Sequence, residues 1–227
     1  MRTWLNIARY HLIRPAIYLG MPWAIMAFSF AINLVIARLA PASHHDTGGI
    51  AVIGFFFLIM GAYSVGPSLP FGLALGLSRR TYYTGTALLA AALAAADGLV
   101  LTALQAIERI TGGWGEHLYF FRVPYILDGP WYLTWLTSSV ALALLFAYGM
   151  WFTIVYRRWN LSVMLAFIAT QVTVLLAVAM LITWNRAWAG TGHFFTALSV
   201  PGLTLLLAAL TSALLAGGYL TTRRITV

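Results

Sequence analysis

Long runs of hydrophobic residues alternate with short polar connections along the chain, and this pattern predicts the fold. Hydrophobic residues make up 62% of the 227 positions and charged residues only 8%. A helix needs about 20 apolar residues to cross the ~30 Å hydrocarbon core of a bilayer. Six runs reach that length, at residues 15–37, 49–71, 83–106, 131–155, 161–184 and 201–220.

The runs lack the strict alternation of apolar and polar residues that is typical of membrane-spanning strands. Unpaired backbone groups cost several kcal/mol each in hydrocarbon, which favours helices because they pair those groups internally. We therefore predict an all-α, polytopic integral membrane protein whose six transmembrane helices form one domain over residues 15–227. In front of it, residues 1–14 are predicted to form a cytoplasmic interfacial helix, with Trp4 on its apolar face and Arg9 on its polar face.

The arginines indicate how the helices are oriented, since cytoplasmic loops retain positive charge. One set of connections carries arginine without any acidic residue: Arg2, Arg9, Arg14, Arg79, Arg80, Arg157, Arg158, Arg223 and Arg224. We expect this set to face the cytoplasm, which places both termini inside and the protein in the inner, cytoplasmic membrane. The formal net charge of +8 then favours anionic membrane lipid as a partner, and no nucleic acid is expected.

Missing residue types exclude several functions. The chain contains neither lysine nor cysteine, so it has no P-loop lysine and no thiolate nucleophile or ligand. The H-E-x-x-H and G-x-S-x-G patterns of hydrolases are also absent from the sequence. His44 and His45 are adjacent rather than one helical turn apart, which does not suit a metal site. We expect no enzyme activity, and no catalytic residue, metal or cofactor in this chain.

Residues 107–130 form a long, aromatic outer loop that is too short to fold alone.

The connection at residues 76–86 reads GLSRRTYYTGT and is predicted to be a cytoplasmic coupling loop. Ser78 is expected to cap a short helix whose first turn holds Arg79 and Arg80, while Tyr83 is expected at the membrane interface. Such a helix could dock on a partner protein. The alternative is an ordinary hairpin whose two arginines only set the topology.

Residues 75–85 resemble the inner loop after the second span in ABC-2-type permeases, the six-span subunits of ATP-binding-cassette exporters. In outline the resemblance covers the whole chain. It implies that Ser78, Arg79, Arg80 and Tyr83 contact an ATPase, and that residues 1–14 form a connecting helix. The alternative for residues 1–14 is a surface anchor. The chain departs from the family pattern in one respect. Its connection at residues 185–200 is short, whereas the family often has its largest outer element there. The outer gate is therefore expected to be built differently.

Two polar residues within the predicted spans are candidates for a specific role. Asp97 is the carboxylate inside the third span, and Gln171 lies near the centre of the fifth. For Asp97 we weigh a structural role, in which it packs among small residues and pairs with an outer arginine such as Arg38, Arg109 or Arg186, against a substrate or proton site. Gln171 is expected to make an interhelical hydrogen bond.

The resemblance implies a permease that moves a hydrophobic or amphipathic substrate, such as a drug, a peptide antibiotic or a lipid, by alternating access. Its implied partners are two copies of an ATPase subunit, which carry ATP and Mg, and a second permease copy in a homodimer or a pair with a related permease. Two alternatives stay open. One is a proton-coupled secondary transporter that uses Asp97, and the other is a non-transporting membrane subunit such as an immunity factor.

Overall fold

The computed structural model describes residues 20–40, 45–66, 68–74, 76–123, 127, 129–197 and 199–222. The helices are α1 (Met21–Leu39), α2 (Ala51–Val65), α3 (Ser68–Ala74), α4 (Arg79–Ile110), α5 (Trp131–Trp159), α6 (Leu161–Trp184), α7 (Trp188–Ala197) and α8 (Val200–Thr222). Two-residue strands, β1 (His45–Asp46) and β2 (Leu118–Tyr119), pair in parallel. The predicted interfacial helix, with Trp4 and Arg9, lies outside the described residues.

The protein is an all-α polytopic membrane protein, as the sequence predicts. Helices α1, α4, α5, α6 and α8 are long and apolar enough to cross a membrane, and α2 is a shorter apolar helix. The structure differs from the prediction at the second span, where it has two helices and not one. Helix α2 ends at Val65, and α3 begins at Ser68. The sequence between them contains Pro67, which has no backbone N–H to continue an α-helical ladder.

Helix α5 is the centre of the bundle, with α2, α4 and α8 packed against it. Its contact with α2 depends on two glycines that bring the backbones close together. A Cβ added at Gly61 of α2 would overlap the carbonyl oxygen of Phe146, and one added at Gly149 of α5 would overlap that of Leu58. Small residues at helix contacts are the usual way in which membrane helices approach closely.

Helix α6 stands at the edge of this bundle. It has no buried residue, and it packs on α5 and α7. The Tyr148 hydroxyl donates a hydrogen bond to Oε1 of Gln171, and the rings of Phe152 and Phe167 lie 6.0 Å apart. The hydrogen bond confirms the interhelical role predicted for Gln171. The rest of the α6 surface is free to contact lipid.

Apart from Asp97 in the middle of α4, the described charged residues lie at or beyond the ends of the helices. At one end, Arg157 donates to the carbonyl oxygen of Gly66, and the Tyr82 hydroxyl donates to that of Ser64 at 2.5 Å. These bonds hold the end of α5 and the start of α4 together at the end of α2. We call this the basic end and define it by Arg79, Arg80, Arg157 and Arg158. The opposite end, the loop end, holds residues 113–122.

Candidate functional site

The basic end contains the capped turn that the sequence predicts. Ser78 is extended, with φ of −70° and ψ of 146°, and its Oγ accepts a hydrogen bond from the Thr81 backbone N–H at 3.1 Å. The Ser78 and Thr81 hydroxyls lie 2.7 Å apart. Arg80 is exposed, and Arg79 is half-buried. The cap therefore fixes where α4 begins and presents an arginine at its first turn.

Two details of the predicted coupling loop are wrong. The helix after Ser78 is not a short separate element, because α4 continues for 32 residues. The Tyr83 side chain is not exposed as an interfacial residue would be, since only 6% of it is exposed. Its hydroxyl donates to the carbonyl oxygen of Leu215 at 2.8 Å, and its ring lies 5.6 Å from that of Tyr219. Tyr83 therefore joins α4 to α8 and is not accessible to an ATPase.

Asp97 is buried in the middle of α4, with 4% of its surface exposed. Its Oδ1 accepts a hydrogen bond from Trp23 Nε1 of α1 at 3.0 Å. The packing part of the structural prediction holds, because the adjacent Gly98 lies against Ser139 of α5. The arginine part is wrong within the described chain, where Arg38 pairs with Glu116 at 3.0 Å and Asp97 is bonded to an indole.

Replacing Asp97 with asparagine should leave thermal stability unchanged or raise it, because the amide oxygen can still accept from Trp23 and no charge remains in the bilayer. Asp97→Ala should lower stability by about 1–3 kcal/mol, since the buried indole N–H loses its acceptor. Thermal unfolding of the purified protein in detergent measures both. Trp23→Phe is the control: combined with Asp97→Ala it should add little further loss. A large loss in Asp97→Asn would show that the charge itself is needed.

The loop end is organised by Glu108, which belongs to the predicted outer loop at residues 107–130. It is fully buried. Its Oε2 accepts from the backbone N–H groups of Phe120 and Phe121 at 2.9 and 3.0 Å and from Trp114 Nε1 at 3.0 Å. Its Oε1 accepts from the Arg122 N–H at 3.0 Å. One carboxylate therefore holds a segment 12 to 14 residues further along the chain.

A tight turn at residues 112–117 makes this arrangement possible. Gly112, Gly113 and Gly115 all have positive φ, and a Cβ at Gly113 would lie 2.8 Å from the Leu118 backbone nitrogen. The turn brings Trp114 and Phe121 onto α1, where the Phe30 ring lies 4.9 Å from Trp114 and 5.8 Å from Phe121. The predicted outer loop is thus packed on the bundle through aromatic side chains.

Apolar cavities are also present in the described part of the chain. One of about 210 Å³ lies beside the loop-end aromatic residues and is lined by Trp23, Phe30 and Leu104 among others. The other, of about 650 Å³, lies between α2 and α8 on one face of α5. Asp97 lines neither of them. Among the described residues, no group of three or more His, Cys, Asp or Glu side chains could hold a metal ion.

Comparison of the chain with models of known protein families, with curated proteins and with solved structures gives no match. The resemblance of residues 75–85 to ABC-2-type permeases therefore stays a prediction.

Proposed function

We propose that the protein is the transmembrane permease subunit of an ATP-driven exporter that moves a hydrophobic or amphipathic substrate across the cytoplasmic membrane. The observation that carries this proposal is the continuity of α4. Its 32 residues, about 48 Å at 1.5 Å per residue, join the capped arginine turn at the basic end to the Glu108 cluster at the loop end. A displacement of the first turn is therefore transmitted along an unbroken helix.

Hydrogen bonds at the basic end support this role for α4. The Tyr82 hydroxyl is bonded to Ser64 at the end of α2, and the Tyr83 hydroxyl is bonded to Leu215 in α8. Both tyrosines lie within one turn of Arg79 and Arg80. A force applied to the arginine turn would thus move α2, α4 and α8 together, which is what a coupling element requires.

Charge at the basic end suits an acidic partner surface. Arg80 and Arg157 are exposed there, and the acidic residues of the chain fall elsewhere in the sequence, at Asp46, Asp97, Glu108, Glu116 and Asp128. A face with arginines and no acid also agrees with a cytoplasmic orientation. The proposed partners are two ATPase chains, which hold ATP and Mg, and a second permease copy.

The apolar cavities support the choice of substrate class, because their linings offer hydrocarbon and few polar groups. Binding of ATP would close the ATPases, shift the arginine turn and tilt α4, so that an inward-facing path becomes outward-facing. A proton-coupled transporter is less well supported, since it needs Asp97 in contact with water. Asp97 is buried and bonded to Trp23.

Replacing Arg79 and Arg80 together with alanine should reduce copurification of an ATP-binding-cassette ATPase by about tenfold, because two charge-assisted contacts of roughly 1 kcal/mol or less each would be lost from the docking turn. The protein is purified in mild detergent from its native host. ATP hydrolysis and the ATPase band, identified by mass spectrometry, are then measured in the same preparation.

The matched control is Arg38→Ala with Arg186→Ala, which removes the same charge away from the basic end and should leave ATPase recovery unchanged. Two results would contradict the proposal. One is a wild-type preparation that contains no such ATPase, and the other is full ATPase recovery with the Arg79 and Arg80 variant.

A further inference from the structure

The turn between α5 and α6 is a single residue that is held firmly in place. Helix α5 ends at Trp159 and α6 begins at Leu161, so Asn160 alone connects them. The Asn160 backbone N–H donates to the carbonyl oxygen of Tyr156 at 3.0 Å, and its Oδ1 accepts from the Val163 N–H at 3.3 Å. The backbone that carries the side chains of this turn is therefore fixed at the basic end.

Arg158 lies beside this turn, and its charge has no acidic neighbour. Its guanidinium carbon is 4.5 Å from the centre of the Trp159 ring, a cation–π contact that holds the side chain. Among the described residues, no hydrogen bond or ion pair is found for its N–H groups. The sequence contains no acidic residue after Asp128. Arg158 is therefore positioned and keeps its donors for a ligand.

Arg157, the preceding residue, adds a second positioned charge. It is exposed, and it donates a hydrogen bond to the carbonyl oxygen of Gly66 at the end of α2. Because this bond uses one of its nitrogen atoms, other N–H groups of the guanidinium remain for solvent or a ligand. Guanidinium groups bind phosphate through paired N–H···O bonds, so the two arginines suit a phosphate group.

The exposed side chains around these arginines are those of a membrane interface. Tyr156 and Trp159 are exposed on α5, and Leu161 and Leu165 are exposed at positions four apart, on one face of α6. Helix α6 has no buried residue. Aromatic rings at the end of a span lie at the level of the lipid headgroups. The arginines therefore lie near lipid phosphates, and the α6 leucines lie near acyl chains.

We propose that the α5–α6 turn binds one anionic phospholipid, with its phosphate on Arg158 and its acyl chains along α6. The lipid carries a net negative charge, because a zwitterionic headgroup has an ammonium group for which this turn has no acidic partner. Arg157 strengthens the attraction. This turn differs from the capped turn at Arg79 and Arg80, so the inference goes beyond the proposed function and does not depend on it.

Native mass spectrometry of the full chain, purified in detergent without any ATPase, counts the bound lipids. The probes are phosphatidylglycerol and phosphatidylcholine with identical acyl chains. We expect one phosphatidylglycerol to bind saturably and at least about tenfold more tightly than phosphatidylcholine, since two arginines contribute to the difference. Millimolar inorganic phosphate should not displace it, because the free ion gains nothing from the apolar surface of α6.

Two pairs of variants test the residues. Arg158→Gln should weaken phosphatidylglycerol binding about fivefold, the contribution of one arginine near an anionic headgroup, and should leave phosphatidylcholine unaffected. Arg186→Gln removes the same charge from an exposed position after α6 and should have no effect. Trp159→Leu should weaken binding about two- to fivefold, because Arg158 loses the ring that holds it. Trp184→Leu, at the opposite end of α6, should have no effect.

Thermal unfolding without added lipid checks that each variant folds, and Trp159→Leu carries the test if Arg158→Gln does not fold. Equal affinity for the two lipids would overturn the inference. So would equal losses in the Arg158 and Arg186 variants, because the attraction would then follow net charge and not this turn. Displacement by inorganic phosphate would also contradict it, since the turn would then be a site for a free anion.

Discussion

Replacing Glu108 with alanine is expected to lower the stability of the protein by about 3–5 kcal/mol. Each buried N–H that loses its acceptor costs roughly 1–3 kcal/mol, and some of the four donors would recover water after relaxation. The donors are the backbone of Phe120, Phe121 and Arg122 and the indole of Trp114. Thermal unfolding in detergent measures the loss, and proteolysis within residues 113–122 should increase in parallel.

Two variants show whether the effect belongs to these hydrogen bonds. Glu108→Gln keeps an oxygen for the three donors at Oε2 but places an NH₂ group against the Arg122 N–H, so an intermediate loss is expected. Glu116→Ala removes a carboxylate from the exposed pair with Arg38, and exposed pairs contribute about 1 kcal/mol or less. If Glu108→Ala costs no more than Glu116→Ala, the organising role of Glu108 is refuted.

Replacing Gly149 with leucine is expected to separate α2 from α5 and to cost about 3 kcal/mol or more, at the upper end of the range for overpacking. The obstacle is the backbone of α2, since even a Cβ would overlap the Leu58 carbonyl oxygen, and backbone cannot move aside as a flexible side chain can. Gly61→Leu should behave in the same way against Phe146. Yield after detergent extraction and the unfolding temperature are the measurements.

Gly190→Leu is the matched control for the glycine variants. Gly190 lies in α7, and an added Cβ meets nothing within 4 Å. Because leucine favours helix over glycine by up to about 1 kcal/mol, this variant should be neutral or slightly stabilised. Equal losses at Gly190 and Gly149 would indicate a general sensitivity of the protein to substitution and not a close helix contact.

Hydrophobic run length predicts the five long helices, because the bilayer imposes it, but it predicts neither the division of the second run nor where the helices end. The third run stops at Ala106, whereas α4 continues to Ile110 and starts at Arg79. Helical hydrogen bonding continues beyond the hydrocarbon wherever a cap such as Ser78 permits it. The serine cap is a local signal, so the sequence predicts it correctly.

The errors concern residues whose environment is set by distant parts of the chain. Tyrosine is a residue type that is common at membrane interfaces. The burial of Tyr83 depends on α8, because its hydrogen-bond acceptor, Leu215, lies 132 residues further along the chain. Asp97 accepts a hydrogen bond from Trp23, which lies 74 residues earlier in the chain. Glu108 accepts hydrogen bonds from backbone amides that lie close to it only because the turn at residues 112–117 reverses the chain. No local pattern contains these partners, since they arise from the packing of complete helices.

The isolation of α6 affects the order in which the bundle can assemble. Helix α8 is synthesised after α6, yet it packs on α5 and supplies the Leu215 carbonyl that Tyr83 requires. The ribosome therefore releases α6 into the bilayer before α8 can pack on α5. During that interval the start of α4 lacks its bond to α8, so the Tyr83 hydroxyl has no Leu215 acceptor until synthesis of α8 is finished.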